Sequence, residues 1–488
     1  MAIDHDLLSI QEARDLGDAA YQAQLFWKHA TQEEVDRICA AMADAAFAAA
    51  GRLGQMAHDE TGYGIPDHKR LKNELGSRGV WDSIKGIKTV GVVREDPQLK
   101  IYDIAWPMGV VAALTPSTNP TSTAMYKVLI AVKARDAIII APHPSAAKCT
   151  LETCRVMQAA AEKAGAPKNL VNCMQYISLP GTQELMHHKR VRLILATGGS
   201  AMVKAAHSVG KPAYGVGPGN VPAYVDRSAD VEKAARYIVN SKAFDNSTIC
   251  ASEQSVVADT PIAGQLKTLM EGYGAYFTNT EQTERLRKLL FHPNGAINTA
   301  TVGLDALTIA GMAGFSVPQS TRVLVTPISK TGEDEPLSRE KLTTVLAWYQ
   351  EDGWEAGCER SIELIMFGGR GHTQIIYATN QDIIMAFGLE KPVFRILVNT
   401  MGTLGAVGLT TGLMPSMTLG AGGEGGSITG DNVTVHHMYN IKRLAYEINP
   451  PPQAAMRAPK QTAAGLESAQ DIERIVELVT QEIIKINQ

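Results

Sequence analysis

Cys250 has the surroundings that most suggest covalent chemistry. It lies in the stretch NSTICASEQ, residues 246–254, among small and polar residues and directly before the strand-like segment SVVAD. A cysteine in a soluble protein is either a small buried hydrophobe or a reactive thiol. A run of small polar residues between a helix and a strand favours an exposed turn over a core position, and both a packing cysteine and a reactive thiol remain open at this point.

The other cysteines predict neither a metal site nor a disulfide framework. Their spacing fits no metal-ligand pattern, and Cys149 and Cys154 are the only close pair, on a predicted helix. Six cysteines in 488 residues are too few for a disulfide-stabilised fold, so a reducing compartment is expected. The remaining members of the set are Cys39, Cys173 and Cys358.

Two glycine-rich turns are candidates for ligand binding. In LATGGSAMVKAAHS, residues 195–208, a strand ends in TGGS and a helix begins, which exposes backbone N–H groups suited to a phosphate. The segment GVGPGN, residues 215–220, lets the backbone approach another group closely. A tight structural turn and a domain-crossing loop are the alternatives.

Alternating strand and helix patterns must position these residues. A predicted hairpin near 90–105 leads into a first core strand at 110–114, and further buried strands follow at 137–142 and 192–197. Helical segments separate the strands, as in crossover connections between parallel strands. We therefore predict the α/β class with two doubly wound domains and a β-hairpin arm.

The predicted organisation has four segments. Residues 1–224 form a nucleotide-binding domain that includes the hairpin arm, 225–430 a catalytic domain with Cys250, 431–449 an oligomerisation strand, and 450–488 a linker and a C-terminal amphipathic helix. Ser468 with Asp471 is a plausible helix N-cap. The apolar stripe comprises Ile472, Ile475, Val476, Val479, Ile483 and Ile486. The helix either packs on its own subunit or docks into a partner's groove.

Bulk properties exclude two classes of partner. The net charge of −4 provides no basic field for nucleic acid, and no stretch reaches the ~18 apolar residues that would span a bilayer. The N-terminal residues lack the pattern of a secretory signal. A cytoplasmic location is expected.

Several further segments carry a family resemblance. They are TPSTNPTST, ILATGGSAMVKAA, GKPAYGVGPGN, FDNSTICASEQSVV, GFSVP, EPLSREKL, GGRGHT, PSMTLG and NIKRLA, in order from about 115 to 445. Together they resemble aldehyde dehydrogenases, and more narrowly the CoA-acylating short-chain members. The resemblance implies conversion of a short-chain aldehyde, NAD(P)+ and CoA to acyl-CoA and NAD(P)H through a thiohemiacetal and a thioester on cysteine.

The resemblance assigns roles to individual residues. Cys250 is the nucleophile, and the side chain of Asn119 with the backbone N–H of Cys250 stabilises the oxyanion. His372 either accepts the proton of the incoming thiol or shapes the pocket. The carboxylate of Glu335 would bind the nicotinamide ribose. The full cofactor-binding set is Thr115, Pro116, Ser117, His143, Pro144, Lys148, Thr197, Gly198, Gly199, Ser200, Val203, Gly217, Glu335 and Leu337.

One missing residue bears on the fate of the thioester. Hydrolytic members of the family carry a glutamate in an ELGGK-like stretch ahead of the cysteine, where this chain has YGVGPGN and no carboxylate between Lys204 and Val225. Without that base, water attack should be slow, and a thiol such as CoA must release the acyl group. A hydrolytic aldehyde dehydrogenase and a non-redox acyltransferase or idle shell component are the alternatives.

Cofactor choice, substrate and assembly are less sharply predicted. The turn APHPSAAK is followed by no acid before Glu152, so a 2′-phosphate should be tolerated and the cofactor is NAD or NADP. Acetaldehyde and propanal are candidate substrates. Sulfoacetaldehyde is a further candidate, because threonines and N–H groups in residues 401–415 suit a small anion. Ala421 and Glu424 depart from the GCGxWGG stretch of related members. A homodimer or homotetramer is expected, possibly inside a bacterial microcompartment.

Overall fold

Helices and strands alternate along most of the described chain, which comprises residues 4–452, 455–456 and 469–486 of this computed structural model. The helices are α1 (His5–Trp27), α2 (Gln32–Ala48), α3 (Ala50–Thr61), α4 (Pro66–Glu74), α5 (Val80–Ile84), α6 (Pro120–Lys133), α7 (Ala147–Lys163), α8 (Leu179–His187), α9 (Ser200–His207), α10 (Val231–Ala243), α11 (Thr260–Gly272), α12 (Thr280–Leu290), α13 (Ala306–Met312), α14 (Gly353–Gly368), α15 (Gln381–Glu390), α16 (Gly402–Ala406) and α17 (Ala469–Ile486). The strands are β1 (Val92–Asp96), β2 (Ile101–Pro107), β3 (Val110–Thr115), β4 (Ala137–Pro142), β5 (Val171–Cys173), β6 (Val191–Thr197), β7 (Ala213–Val216), β8 (Val221–Val225), β9 (Glu253–Asp259), β10 (Ala275–Phe277), β11 (Val323–Pro327), β12 (Val345–Glu351), β13 (Gln374–Tyr377), β14 (Ile396–Val398) and β15 (Tyr439–Ala445).

Two parallel sheets form the core. The first has five strands in the order β5-β4-β3-β6-β7, and the second has seven in the order β10-β11-β12-β9-β8-β13-β14. The runs VVAALT in β3 and AIIIAP in β4 are buried along their whole length and pair in parallel, with Val110 opposite Ala137. Strands buried on both faces read as continuous apolar runs, which is why the sequence reveals them. The predicted α/β class is confirmed.

Strands β1 and β2 lie in the region of the predicted hairpin and are neighbours in a third sheet, which has the order β1-β2-β15. The hairpin arm itself remains a prediction. The strand predicted over 432–446 is shorter, because Thr434 caps a 3₁₀ turn at Val435–His437 and β15 begins only at Tyr439. The part of the hairpin in oligomerisation remains a prediction.

The chain divides into two compact units. One comprises Met1–Val93 and Ile104–Lys442 and contains all the predicted site residues, and the other comprises Arg94–Asp103 and Arg443–Gln488. Within the second unit, Arg443 Nε lies 3.2 Å from Asp103 Oδ1. The predicted bounds of the four sequence segments remain predictions.

The C-terminal helix α17 carries exposed apolar residues. Ile472, Ile475, Val476 and Val479 are each about half exposed. The proposed N-cap Ser468 and the side chains of Ile483 and Ile486 lie outside the described residues. Within the described ranges, no helix combines the length and the apolar character needed to cross a membrane.

Candidate active site

The turn that carries Cys250 has an unusual backbone. Its first three residues, Asp245, Asn246 and Ser247, all have positive φ, at 49°, 49° and 66°. Asp and Asn adopt this left-handed conformation more readily than most residues, which explains their place in FDNSTIC. Each residue in such a conformation costs about 1–3 kcal/mol, which contacts with the surrounding structure must offset. We call Asp245–Cys250 the nucleophile turn.

Hydrogen bonds from distant segments hold the nucleophile turn. Asp245 Oδ1 accepts the backbone N–H of Ile65 at 2.6 Å, and the backbone N–H of Asp245 donates to His68 Nδ1 at 2.8 Å. Asn246 donates its side-chain amide to the carbonyl of Gly303 at 2.9 Å. The strained backbone is thus fixed at both Asp245 and Asn246.

Cys250 differs from the other cysteines in its accessibility. It is partly exposed, whereas the other five are buried. Burial within the site raises the pKa of the Cys250 thiol to about 12; Glu340 raises it further, and the Arg395 guanidinium opposes the shift. The thiol is therefore protonated at neutral pH, and the predicted role of Cys250 as a nucleophile would require a group that accepts its proton.

Asn119 lies beside the nucleophile turn, as the sequence predicts for an oxyanion donor. It directly precedes α6, and its Nδ2 donates to the carbonyl of Thr248 at 3.0 Å. Its Oδ1 accepts a hydrogen bond from Lys72 Nζ at 2.5 Å. The amide nitrogen therefore points toward the segment that carries the thiol.

A buried charge cluster, which the sequence analysis missed, lies behind Asn119. The ammonium groups of Lys69 and Lys72, both on α4, pair with the carboxylate of Asp245. Burial lowers the pKa of Lys72 to about 8, and Asp245 opposes that shift. Burial alone would raise the pKa of Asp245, but the two ammonium groups lower it below its usual range. The i, i+3 spacing of the lysines was visible in the sequence, but their partner was not.

Gly219 packs directly against Cys250 and His372. A Cβ added at Gly219 would lie 2.4 Å from the Cys250 carbonyl oxygen and 2.8 Å from His372 Nδ1. The backbone N–H of Gly219 donates to Glu340 Oε1 at 3.0 Å. Burial raises the pKa of this carboxyl group to about 7. A carboxylate from a distant segment thus reaches the stretch that the sequence analysis found free of acids.

His372 is enclosed rather than solvent-facing. It is 1% exposed, and its Nδ1 lies 2.9 Å from the hydroxyl of Thr373. Burial, with the nearby charge of Arg395, lowers the pKa of His372 to about 3, so the imidazole is neutral at physiological pH. Its Nε2 has no hydrogen-bond partner among the described residues. Both predicted roles of His372, proton acceptor and pocket wall, remain open.

An open cleft contains part of the predicted cofactor set. Two separate cavities lie at predicted cofactor residues. One, of about 690 Å³, lies beside Lys148, and the other, of about 620 Å³, lies beside α9 and is called the cofactor cleft below. The cofactor cleft brings together the predicted Ser200, Val203 and Gly217, and Arg370 also lines it. A Cβ added at Gly217 would meet nothing within 4 Å, and the same holds for the neighbouring Gly198 and Gly199. Space above glycines and the N-terminus of α9 fits a phosphate-containing ligand.

Other predicted cofactor residues have different surroundings. Lys148 lines the separate cavity together with Glu60, whose carboxylate accepts the backbone N–H groups of Lys148 and Cys149 at 2.8 and 2.7 Å. An acid therefore lies at the start of α7, although none follows nearby in the sequence. Glu335 is buried and pairs with the guanidinium of Arg287 at 3.0 and 2.6 Å. Ribose binding by Glu335 remains a prediction.

The remaining predicted residues are dispersed over the strand ends and turns. Thr115 and Leu337 are buried, Pro116 and Ser117 are partly buried, and His143 and Pro144 are exposed. Thr197 ends β6, and its hydroxyl lies 3.0 Å from that of Thr418. Their contacts with a cofactor remain predictions.

A partly exposed thiol on a fixed turn next to an amide donor, in a chain that also has a glycine-lined cleft, fits an enzyme that holds its substrate covalently while a dinucleotide is bound. The comparison with protein families defines the class further. Residues 7–276 match the model described as the aldehyde dehydrogenase family, and the chain belongs to that family.

Individual relatives agree with this assignment. The chain is 40% identical over 443 residues to the bifunctional aldehyde-alcohol dehydrogenase AdhE of Escherichia coli K12. The matched region covers 90% of this chain and 50% of the relative, so the chain spans about half the length of that protein. It is 37% identical to the acetylating succinate-semialdehyde dehydrogenase of Clostridium kluyveri, over 89% of this chain and 95% of the relative. The crystal structure of an acetylating aldehyde dehydrogenase from Geobacillus thermoglucosidasius has a TM-score of 0.91 and 47% identity, covering 92% of this chain and all of that chain.

Proposed function

We propose that this protein oxidises a short-chain aldehyde with NAD+ or NADP+ and transfers the acyl group to coenzyme A, in a reversible reaction. The observation that carries the proposal is the arrangement at Cys250, the partly exposed cysteine, with the Asn119 amide directed at its turn. The acetylating activity named for two of the similar proteins supports it.

The proposed reaction begins at the thiol. The Cys250 thiol first gives its proton to a base, for which the neutral His372 imidazole and the Glu340 carboxylate are the candidates. The thiolate then adds to the aldehyde carbonyl, and the resulting oxyanion accepts hydrogen bonds from Asn119 Nδ2 and from the backbone N–H of Cys250. The bound nicotinamide supplies a hydride acceptor. Loss of hydride from the adduct carbon leaves a thioester on Cys250, and a CoA thiolate then attacks that thioester and releases the enzyme thiolate.

The cofactor cleft offers space for the dinucleotide. Gly199 and Gly217 lack neighbours on the side where a Cβ would point, and Ser200 begins α9 there. Backbone N–H groups at that helix start would bind the pyrophosphate, and Lys204 and Arg370 add positive charge at the cleft. We propose that CoA enters the same cleft after the reduced cofactor leaves, which predicts ping-pong kinetics.

Glu340 supports the alternative in which water, rather than CoA, releases the acyl group from the thioester. Its carboxylate bonds to Gly219, and its pKa is raised to about 7, so a proton acceptor is near the thiol even though residues 204–225 contain no acid. The same carboxylate could equally accept a proton from the CoA thiol. The chemical argument for CoA from the missing ELGGK-type glutamate is therefore weaker than the sequence alone suggested.

The deciding experiment follows NAD(P)H formation with an aldehyde, with and without CoA, and identifies the product by mass spectrometry. We expect NAD(P)H formation to depend on CoA and the product to be acyl-CoA. A CoA-independent rate with free carboxylic acid as product would overturn the acylating proposal in favour of the hydrolytic one. Absence of NAD(P)H under both conditions, with acyl exchange retained, would indicate a non-redox acyltransferase.

The substrate remains one of acetaldehyde, propanal and sulfoacetaldehyde. The threonine hydroxyls of the 401–415 loop are occupied internally: Thr410 lies 2.7 Å from Thr400, and Thr411 donates to the carbonyl of Gly405 at 2.7 Å. Their predicted role as anion ligands therefore has less support than the sequence indicated. Steady-state kcat/KM for the three aldehydes, with each of NAD+ and NADP+, distinguishes these possibilities.

We further propose a homodimer or homotetramer that associates through the hairpin and β15, in the cytoplasm or a microcompartment. The exposed apolar residues Ile441 and Leu444 on β15 support the association. The six free thiols support a reducing compartment. Docking of α17 on a partner is the finer possibility. Removal of residues 450–488 should leave folded, active enzyme if α17 docks elsewhere, and loss of folded enzyme would show that it packs on its own subunit.

A further inference from the structure

Lys72 has an environment that its position on α4 does not suggest. Its side chain is 4% exposed, and its ammonium group has three partners: Asn119 Oδ1 at 2.5 Å, Asp245 Oδ2, and Thr248 Oγ1 at 3.3 Å. An ammonium group has three hydrogens and no acceptor, so its donors are all used. Two of the three partners belong to the nucleophile turn, and the third is the predicted oxyanion donor.

This contact determines which way the Asn119 amide faces. The two ends of an amide are nearly alike in shape, but only the oxygen can accept from an ammonium group. With Oδ1 held by Lys72, Nδ2 must face the opposite side, where it donates to Thr248 O at 3.0 Å and to Thr118 Oγ1 at 3.2 Å. A positive charge on Oδ1 also polarises the amide and strengthens Nδ2–H as a donor.

Charge neutralisation alone does not account for Lys72. Asp245 already has a second ammonium partner in Lys69, at 3.2 Å, and also accepts from Ile65. A buried ion pair often adds little net stability, because desolvating each charge offsets the attraction. Lys69 donates to the carbonyl of Thr118 and, among the described residues, makes no hydrogen bond with Asn119, so the two lysines differ in the one contact that matters for the amide.

We propose that Lys72 is a positioning residue that holds the Asn119 amide with Nδ2 toward the nucleophile turn, where one of its two N–H groups exchanges its present acceptor, Thr118 Oγ1 or Thr248 O, for the oxyanion on the Cys250 adduct. The proposal rests on the proposed function, in which Asn119 is an oxyanion donor. Lys72 acts through Asn119 and touches neither substrate nor cofactor. Its loss therefore lowers kcat and leaves the KM for the dinucleotide unchanged.

The test is a double-mutant cycle in the full-length enzyme, with CoA-dependent NAD(P)H formation as the readout. Loss of one oxyanion donor costs about 10²–10³ in rate, so Lys72→Met should lower kcat by about 10–100-fold and Asn119→Ala by at least as much. If Lys72 acts through Asn119, the double variant is no slower than Asn119→Ala alone. Lys69→Met is the matched control, because it removes the other ammonium partner of Asp245, and it should retain most of the wild-type rate.

Three outcomes overturn the proposal: a wild-type kcat for Lys72→Met, multiplied losses in the double variant, or an equal loss in Lys69→Met. Failure of the proposed function is separate, because Asn119→Ala with full activity would remove the oxyanion role itself. Thermal unfolding is measured for every variant. If Lys72→Met does not fold, Lys72→Gln, which keeps a polar donor of similar length, replaces it in the same cycle, with the same non-additivity expected and multiplied losses overturning the proposal.

Discussion

The nucleophile turn and the cofactor cleft differ in how tightly they are packed: the turn is held by hydrogen bonds, whereas the cleft contains unfilled space. In the nucleophile turn, three consecutive residues have positive φ, and bonds from Ile65, His68 and Lys72 hold them. In the cofactor cleft, Gly199 and Gly217 face empty space. A group that must react is fixed in one geometry, whereas a ligand that must enter and leave needs unfilled volume. Substitutions in the two regions should therefore have different kinetic signatures.

Replacement of the nucleophile has the largest expected effect. Cys250→Ser should lower turnover by more than about a thousandfold, since a serine hydroxyl is a far weaker nucleophile than a thiol. Dinucleotide affinity, measured by fluorescence titration, should stay close to that of the wild type because the cleft is unchanged. Turnover near the wild-type level would show that Cys250 is not the nucleophile and that the turn is not held for the sake of its thiol.

Gly219→Ala tests how tightly the nucleophile turn is held. The added methyl would lie 2.4 Å from the Cys250 carbonyl oxygen, a backbone atom, so the turn or the His372 ring must shift. A displacement of about 1 Å at a reacting group can cost about 100-fold in rate, and we expect a loss of that order in kcat. Steady-state kinetics with saturating cofactor measures it. An unchanged kcat would mean that the turn is less rigid than its contacts indicate.

Gly217→Ala is the matched change two residues earlier, in the cofactor cleft. The same methyl meets no protein atom within 4 Å, so the melting temperature should not change. The methyl occupies ligand space, and a loss of about 1.4 kcal/mol in binding would raise the KM for the dinucleotide about tenfold at constant kcat. If KM does not move, the cofactor does not approach Gly217.

Glu340→Gln has the smallest expected effect and probes the charge beside the thiol. Glutamine keeps an acceptor for the Gly219 N–H but removes the negative charge that raises the Cys250 pKa. A fall of about half a pKa unit would speed alkylation by iodoacetamide about threefold. With a Glu340 pKa of about 7, the carboxyl group is mostly neutral at pH 6 and ionised at pH 8. The variant should therefore match the wild type at pH 6 and exceed it at pH 8; slower alkylation at pH 8 would instead indicate that Glu340 accepts the thiol proton.

The parts of the fold and site that were predictable depend on local sequence. Buried parallel strands such as β3 and β4 appear as apolar runs, and Cys250 and Asn119 lie in motifs long enough to be recognised. The α/β class and the family followed from these features, and both are confirmed.

The parts that were missed depend on contacts between distant residues. Lys72 lies in PDHKRLKNE, which reads as an ordinary charged helix, and its bond to Asn119 spans 47 positions. Glu340 and Gly219 are 121 positions apart, and Glu60 and Lys148 are 88 apart. No local pattern reveals that a charged side chain will be buried against a partner from another segment. For this reason the absence of acids in the neighbouring sequence did not reveal the carboxyl groups of Glu340 beside Gly219 and Glu60 beside Lys148.

The bonds to Asp245 also constrain when the enzyme becomes reactive during its synthesis. Ile65 and Lys72 precede Asp245 by 180 and 173 positions, and Gly303, which accepts a hydrogen bond from Asn246, follows later in the chain. A nascent chain must therefore extend well beyond the cysteine before its loop closes, and such long-range closure is slow. A nascent chain that has just been extended past Cys250 therefore has the thiol but not yet the geometry that places it beside Asn119.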